Sequence, residues 1–207
     1  RRGTGLRATA LCGAALLLTT AAAQAAPPVR DPDWPCAQIK VPLLSIGQVW
    51  TGPPIDAHLT TWANDPVIAD LTRQITQRRL PIADAEQAIR TFAAAAGTEK
   101  QARLLALAAG VFSTLDLQRG QVIAGLDRFG RRQKQLAAQL RDDLAKVRDT
   151  SADADAAAPQ RELAQRLEWE TRLFQQRQQT VSSVCDVPNL IEQRLYALMR
   201  AIQAALG

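Results

Sequence analysis

The feature that most restricts the fold is a set of mostly apolar positions, spaced three or four residues apart, in the second half of the chain. We call them seam positions, and they form two runs. The first run contains no proline and comprises Leu104, Ala108, Val111, Leu115, Gln118, Val122, Leu126, Phe129, Gln133, Leu136, Leu140, Leu144 and Val147. The second run, after Pro159, comprises Leu163, Leu167, Glu170, Phe174, Arg177, Val181, Val184, Pro188, Ile191, Leu195, Leu198, Ile202 and Ala205. This spacing places each run on one stripe of a helix, and two such stripes pack as a coiled coil. We therefore predict an antiparallel helical hairpin that turns at the polar segment 149–159.

Two shorter helices are predicted before this hairpin. The sequence Asn64-Asp65-Pro66 combines a capping side chain with a proline in the first turn, which is a common helix start. Apolar residues at helical spacing continue to Ile75, and a second amphipathic run extends from Ile82 to Gly97, where glycine is a normal stop. Thr98 and Gln101 have the spacing of a capping box, which predicts that the long third helix begins there.

Glycines and a proline could interrupt the long helices. Each of Gly110, Gly120, Gly125 and Gly130 costs up to ~1 kcal/mol relative to alanine in a helix interior, so the sequence leaves open whether the third helix is continuous or broken near 117–120. Pro188 predicts that the last run is kinked or divided into two helices, with Asp186 capping the second. Cys185 would lie at this joint.

Residues 26–61 are rich in proline and tryptophan and keep neither a helical nor a strand spacing for long. Because proline fixes φ and lacks an amide hydrogen, we predict an extended strap, and its apolar residues predict that it lies across the helices. The predicted fold class is all-α: an antiparallel helical bundle extended into a coiled-coil hairpin, with an extended Pro/Trp-rich N-terminal strap. Residues 62–207 form the bundle with its hairpin arm.

Residues 1–25 have the order of a secretory signal peptide. Three arginines precede an apolar run from Ala8 to Ala23, and the small-x-small sequence Ala23-Gln24-Ala25 completes the pattern. The run is shorter than the ~20 residues of a membrane-spanning helix, so we expect cleavage after Ala25 and a mature chain that does not span the membrane. Arg1-Arg2 leaves open whether the signal is of the Sec or the Tat type. The expected location is the bacterial periplasm.

The net charge argues against nucleic-acid binding. The full chain carries +5, but residues 1–25 contribute three arginines and no acid, so the remaining net charge is +2. Nucleic-acid affinity depends on dense contacts from lysine and arginine to phosphate. A nearly neutral mature chain does not fit that requirement.

Two cysteines, Cys36 and Cys185, remain after the signal peptide. Cysteine pairs of exported proteins usually oxidise, so we predict a disulfide between them. Two free thiols or an intermolecular bridge are the alternatives.

The residue types needed for catalysis or metal binding are not grouped along the chain. His58 is the only histidine, it lies in the strap, and no Cys-x-x-Cys-His motif is present to attach haem. Acid pairs such as Asp142-Asp143 lie among arginine and glutamine, whereas general acid–base catalysis needs carboxyl groups that converge in a dry pocket. We therefore expect no metal, no cofactor and no enzymatic activity.

The polar end of the hairpin contains candidate contacts for a partner. Arg128, Arg131, Arg132 and Lys134 form the densest basic cluster, and Trp169 lies in the polar half of the second run. A seam with few apolar residues contributes little stability when its two helices pack together. An arm of this kind therefore suggests a protein partner in the cell envelope. Peripheral contact with anionic lipid, or a merely solvated charged face, are the alternatives for the basic cluster.

A second candidate site is a small-molecule pocket between the strap and the bundle. Trp34, Trp50 and His58 would line it if the strap brought them together. Both tryptophans could instead only anchor the strap in the core.

Two stretches resemble a family of exported helical proteins from proteobacteria. They are the opening DPDWPC with KVP and W-x-GP downstream, and the later segment Cys185-Asp-Val-Pro-Asn-Leu-Ile-Glu-Gln-Arg-Leu195. The likeness covers about a quarter of the chain. It implies export and a paired cysteine, and it implies no activity.

These observations predict a periplasmic, non-enzymatic adaptor or assembly factor that acts on another envelope protein. The alternative hypothesis is a periplasmic small-molecule-binding protein that uses the pocket between strap and bundle.

Overall fold

A computed structural model describes residues 31–150 and 157–207, and within these ranges the chain is helical without a strand. The helices are α1 Ile46–Val49, α2 Pro66–Ile75, α3 Ile82–Ala95, α4 Lys100–Thr150, α5 Ala157–Cys185 and α6 Val187–Leu206. Short 3-10 turns occupy Asp56–His58, Trp62–Asn64 and Gly97–Glu99. The all-α class is confirmed. The predicted signal peptide and the tip of the predicted turn lie outside the described residues.

Helix α2 begins as its sequence predicts, because the Asp65 side chain accepts hydrogen bonds from the amides of Val67 and Ile68. The predicted start of the third helix at Thr98 is wrong. Gly97 has a φ of +54°, and Thr98 lies in the 3-10 turn that follows, so α4 begins only at Lys100.

The long third helix is continuous. Helix α4 has 51 residues without interruption near 117–120, which corresponds to roughly 75 Å at 1.5 Å per residue. The glycines in it therefore need an explanation other than a break in the helix.

The predicted joint lies between α5 and α6, with Cys185 as the last residue of α5 and Pro188 in the first turn of α6. The predicted capping role of Asp186 is wrong, because its side chain makes no capping hydrogen bond. Its backbone is helical, with φ −80° and ψ −17°, whereas a capping residue normally has an extended backbone that directs its side chain to the free amides.

The main core lies at the end of the molecule away from the hairpin turn. Helices α2, α3 and α6 pack against the first half of α4 there. Its fully buried side chains include Ile55, Ile75, Ile89, Leu104, Leu107, Leu115, Leu195, Leu198, Met199 and Ile202. A smaller cluster of Leu126, Val181 and Cys185 follows along α4 and α5. Between 134 and 149 no residue of α4 is buried.

In its described residues, 31–61, the strap is only partly extended, which corrects the expectation of an extended strap. It contains the short helix α1 directly before Trp50 and the 3-10 turn Asp56–His58 directly after Ile55, and Trp50 and Ile55 both enter the main core. None of the described helices combines the length and apolarity that crossing a bilayer requires.

Candidate functional site

The disulfide holds the strap at the joint between α5 and α6. Cys36 and Cys185 are bonded with their Cα atoms 5.6 Å apart. The Gln38 side-chain amide donates a hydrogen bond to the carbonyl oxygen of Cys185, and the Trp34 indole donates to the carbonyl of Gln38 at 2.7 Å. The covalent bond and these hydrogen bonds together fix the strap where the helix is interrupted.

Lys40 fastens the strap to α4. Its ammonium group donates to Asp31 at 2.7 Å and to Asp127 at 2.8 Å. Hydrogen bonding from Lys40 lowers the pKa of Asp31, and hydrogen bonds to Asp127 and Asp31 raise the pKa of Lys40. A lowered carboxyl pKa stabilises the fold only while Asp31 is ionised. This contribution is therefore present above the unfolded pKa of about 4 and is lost as the pH falls through the folded pKa.

Arg119 is a buried connection that the sequence analysis missed. Its side chain is 3% exposed, donates to Glu192 of α6 at 2.5 Å, and donates to the strap carbonyl of Val41 at 2.6 Å. The sequence does indicate this burial. Arg119 lies four residues after Leu115 and four before Ile123, so it has the spacing of the core positions of α4.

Two of the glycines in α4 allow close packing. A Cβ on Gly110 would lie 2.8 Å from a ring carbon of Trp62, and a Cβ on Gly130 would overlap the carbonyl oxygen of Asp33 in the strap. Gly120 has no neighbour within 4 Å of an added Cβ. Gly130 is therefore the position where the strap backbone rests on the helix.

Replacing Gly130 with alanine should destabilise the protein by about 1–3 kcal/mol, because the overlap with Asp33 forces the strap to move. The matched replacement Gly120→Ala should stabilise it by up to ~1 kcal/mol, the usual gain of alanine over glycine within a helix. Urea denaturation followed by circular dichroism measures both changes. An equal gain at the two positions would show that the strap does not rest on Gly130.

The structure divides the predicted basic cluster into two parts. Lys134 contacts Asp33 of the strap at 2.8 Å, and Arg131 lies 4.0 Å from the same carboxylate. Arg128 and Arg132 are exposed and make no ion pair with any described residue. Within this cluster, the side chains of Arg128 and Arg132 therefore remain available to bind a partner.

Trp169 is on α5 and is 60% exposed. Arg166 pairs with Asp143, and Phe174 and Gln133 line the same cavity, as expected for antiparallel packing of α4 and α5. Trp169 therefore lies on the same arm as the basic cluster but nearer the turn.

The structure does not bring Trp34, Trp50 and His58 together, which corrects the geometry of the predicted pocket. Trp34 packs against the small cluster at the disulfide, Trp50 is buried in the main core, and His58 lies in a 3-10 turn. Trp34 borders a cavity of about 250 Å³ with Phe129 and neighbouring arm residues, and neither Trp50 nor His58 borders that cavity. Trp34 and Trp50 are separated because the strap between them runs from the small cluster at the disulfide to the main core.

These features define a class: an all-α protein with a long helical hairpin and a disulfide-linked strap across its base. Comparison of the chain with protein-family models, with curated proteins and with solved structures found no match.

Proposed function

We propose that the protein is an exported, non-enzymatic adaptor or assembly factor of the periplasm, whose arm binds an acidic surface of another envelope protein. The arm is defined as residues 128–150 together with 157–185. The observation that carries the proposal is the uneven distribution of charge between this arm and the rest of the described chain.

The arm contains eleven arginine and lysine residues against six aspartate and glutamate residues, and Asp153 and Asp155 of the intervening segment bring the acidic residues of 128–185 to eight. The remaining described residues, 31–127 and 186–207, contain ten basic and twelve acidic residues. The arm is therefore net positive and the body slightly negative. Such an arrangement steers association with a negatively charged partner.

Packing on the arm supports the same proposal. Among the residues of α5 whose burial the structure describes, Leu167, Val181 and Cys185 are buried, and the arm portion of α4 is mostly exposed. Exposed Trp169 adds a large aromatic side chain of the kind that is enriched in protein interfaces. A thin two-helix arm gains less from its own core than a bundle does, so a partner surface would add burial that the arm lacks.

Export rests on the signal pattern of residues 1–25, and an oxidising compartment fits a Cys36–Cys185 disulfide. The periplasm is the compartment of a bacterial cell that meets both conditions.

Charge reversal on the arm tests the adaptor proposal. In cross-linking of periplasmic extracts, Arg128→Glu with Arg132→Glu should abolish a defined cross-linked complex whose partner surface, once identified by mass spectrometry, is acidic. The loss should occur without a change in the melting curve, because both side chains are exposed and unpaired among the described residues. Raised salt should weaken the same complex.

The matched control is Arg90→Glu with Arg200→Glu, which reverses two exposed charges on the body and should leave the complex intact. A complex that survives the arm reversal would contradict the proposal. Binding to vesicles containing anionic lipid, in place of any protein complex, would favour the membrane alternative.

A further inference from the structure

A cleft on the body, away from the arm, collects cationic and polar side chains that the sequence analysis did not connect. It lies between α2, the turn 76–80 that follows it, and the first half of α4, and its volume is about 1090 Å³. Its lining consists of Trp62, Ala69, Thr72, Arg73, Thr76 and Gln77, with Arg78, Arg79, Thr114, Gln118 and Leu190. Small-molecule sites typically occupy about 300–1,000 Å³, so this cleft has room for an organic ligand.

Arg194 of α6 holds the turn that carries two of these cations. Its guanidinium donates to the carbonyl of Ile75 at 2.5 and 3.0 Å and to the carbonyl of Leu80 at 2.9 Å. The Thr76 hydroxyl donates to the carbonyl of Thr72 at 2.8 Å. Because both ends of the turn are fixed to α6 or α2, Arg78 and Arg79 extend from a preorganised backbone.

The charge of the cleft is positive. Arg73, Arg78 and Arg79 line it, and no aspartate or glutamate is among its lining residues. Asp70 pairs with Arg73, while Arg79 donates to the Gln77 side chain at 3.0 Å. Burial lowers the pKa of Arg194, yet a guanidinium stays protonated at neutral pH, so a fourth positive charge lies behind the turn.

The cleft also offers apolar surface. Trp62 and half-exposed Leu190 provide the apolar walls. Gln118, a polar position of the first run, lies on the α4 wall.

We propose that this cleft binds an organic anion, with a carboxylate or phosphate group held by Arg78 and Arg79 and an apolar ring or chain against Trp62 and Leu190. Guanidinium groups favour both anions because their parallel N–H donors match the oxygen geometry. This site is separate from the arm and adds ligand binding to the proposed adaptor function.

Two fluorescent dyes that differ by one charged group test the proposal. The anionic 8-anilinonaphthalene-1-sulfonate should bind at least tenfold more tightly than its neutral analogue N-phenyl-1-naphthylamine. Arg78→Gln with Arg79→Gln should weaken the anionic dye at least tenfold and leave the neutral dye unchanged, because the variant removes the charges and keeps the apolar walls. Leu190→Trp, which fills the cleft without changing charge, should weaken both dyes.

The matched control is Arg128→Gln with Arg132→Gln on the arm, which removes the same charge and should leave both affinities unchanged. Displacement of the anionic dye by benzyl phosphate but not benzoate would assign a phosphate ligand, and the reverse would assign a carboxylate. Displacement by neither compound, or equal affinity for the two dyes, would overturn the proposal. Failure of the arm-dependent cross-linking would leave this result unaffected, so the two proposals fail separately.

Discussion

Loss of the Cys36–Cys185 bridge should lower the free energy of unfolding by about 4–5 kcal/mol. The bond joins residues separated by 149 positions, and the chain-entropy model assigns a bridge over a loop of this length a stabilisation of that size. The expected loss applies to Cys36→Ala with Cys185→Ala, measured by urea denaturation at equilibrium. It is the largest single change that we expect in this protein.

Reduction provides the control for this experiment. The parental protein in reductant should unfold at the same urea concentration as the double variant, because both lack the same bond. The strap should also become susceptible to protease before the helical core does, since only the packing of Trp34, hydrogen bonds and ion pairs such as Lys40–Asp127 would then hold its first part. A loss below about 1 kcal/mol would show that the unfolded chain is hardly restricted by the bridge.

Replacing Leu195 with alanine should cost about 2–5 kcal/mol. Leu195 is fully buried on α6 in the main core, so its truncation removes buried methyl groups and leaves a cavity. The comparison is Leu117→Ala, because Leu117 is 64% exposed on α4 and should change stability by less than about 0.5 kcal/mol. Thermal and urea unfolding of the two variants measure the difference, and similar losses at both positions would contradict the assignment of the core.

The main helices could be predicted because their signals are local. A spacing of three or four residues places side chains on one stripe regardless of the partner, and Asp65 before Pro66 caps α2 with atoms only two or three residues away. The predicted division near Pro188 was correct for the same reason, since proline lacks the amide that a helix interior needs. The predicted caps at Thr98 and Asp186 were also wrong for a local reason, because the backbone at each residue has a conformation that does not suit a capping side chain.

The candidate sites could be predicted only in part. Arg128 and Arg132 are exposed as expected, but the contacts of Lys134 and Arg131 with Asp33 depend on where the strap crosses α4. The sequence contained no comparable signal for the cleft, because its lining combines Trp62 and the α2 region with distant positions in α4 and α6. In the sequence, Arg78 and Arg79 look like ordinary surface charges. Only the structure shows that Arg194 holds the turn from which they extend.

Apolar periodicity, proline placement and two cysteines were therefore sufficient to predict an all-α hairpin with a strap, since each depends on residues close in sequence or on covalent chemistry. The route of the strap was not predictable, because it depends on long-range packing: Asp33 rests on Gly130, and Val41 accepts from buried Arg119. Those contacts separate Trp34 from Trp50 and so remove the pocket expected between them. They exist only once α4, α6 and the strap are assembled, which is why sequence spacing carried no information about them.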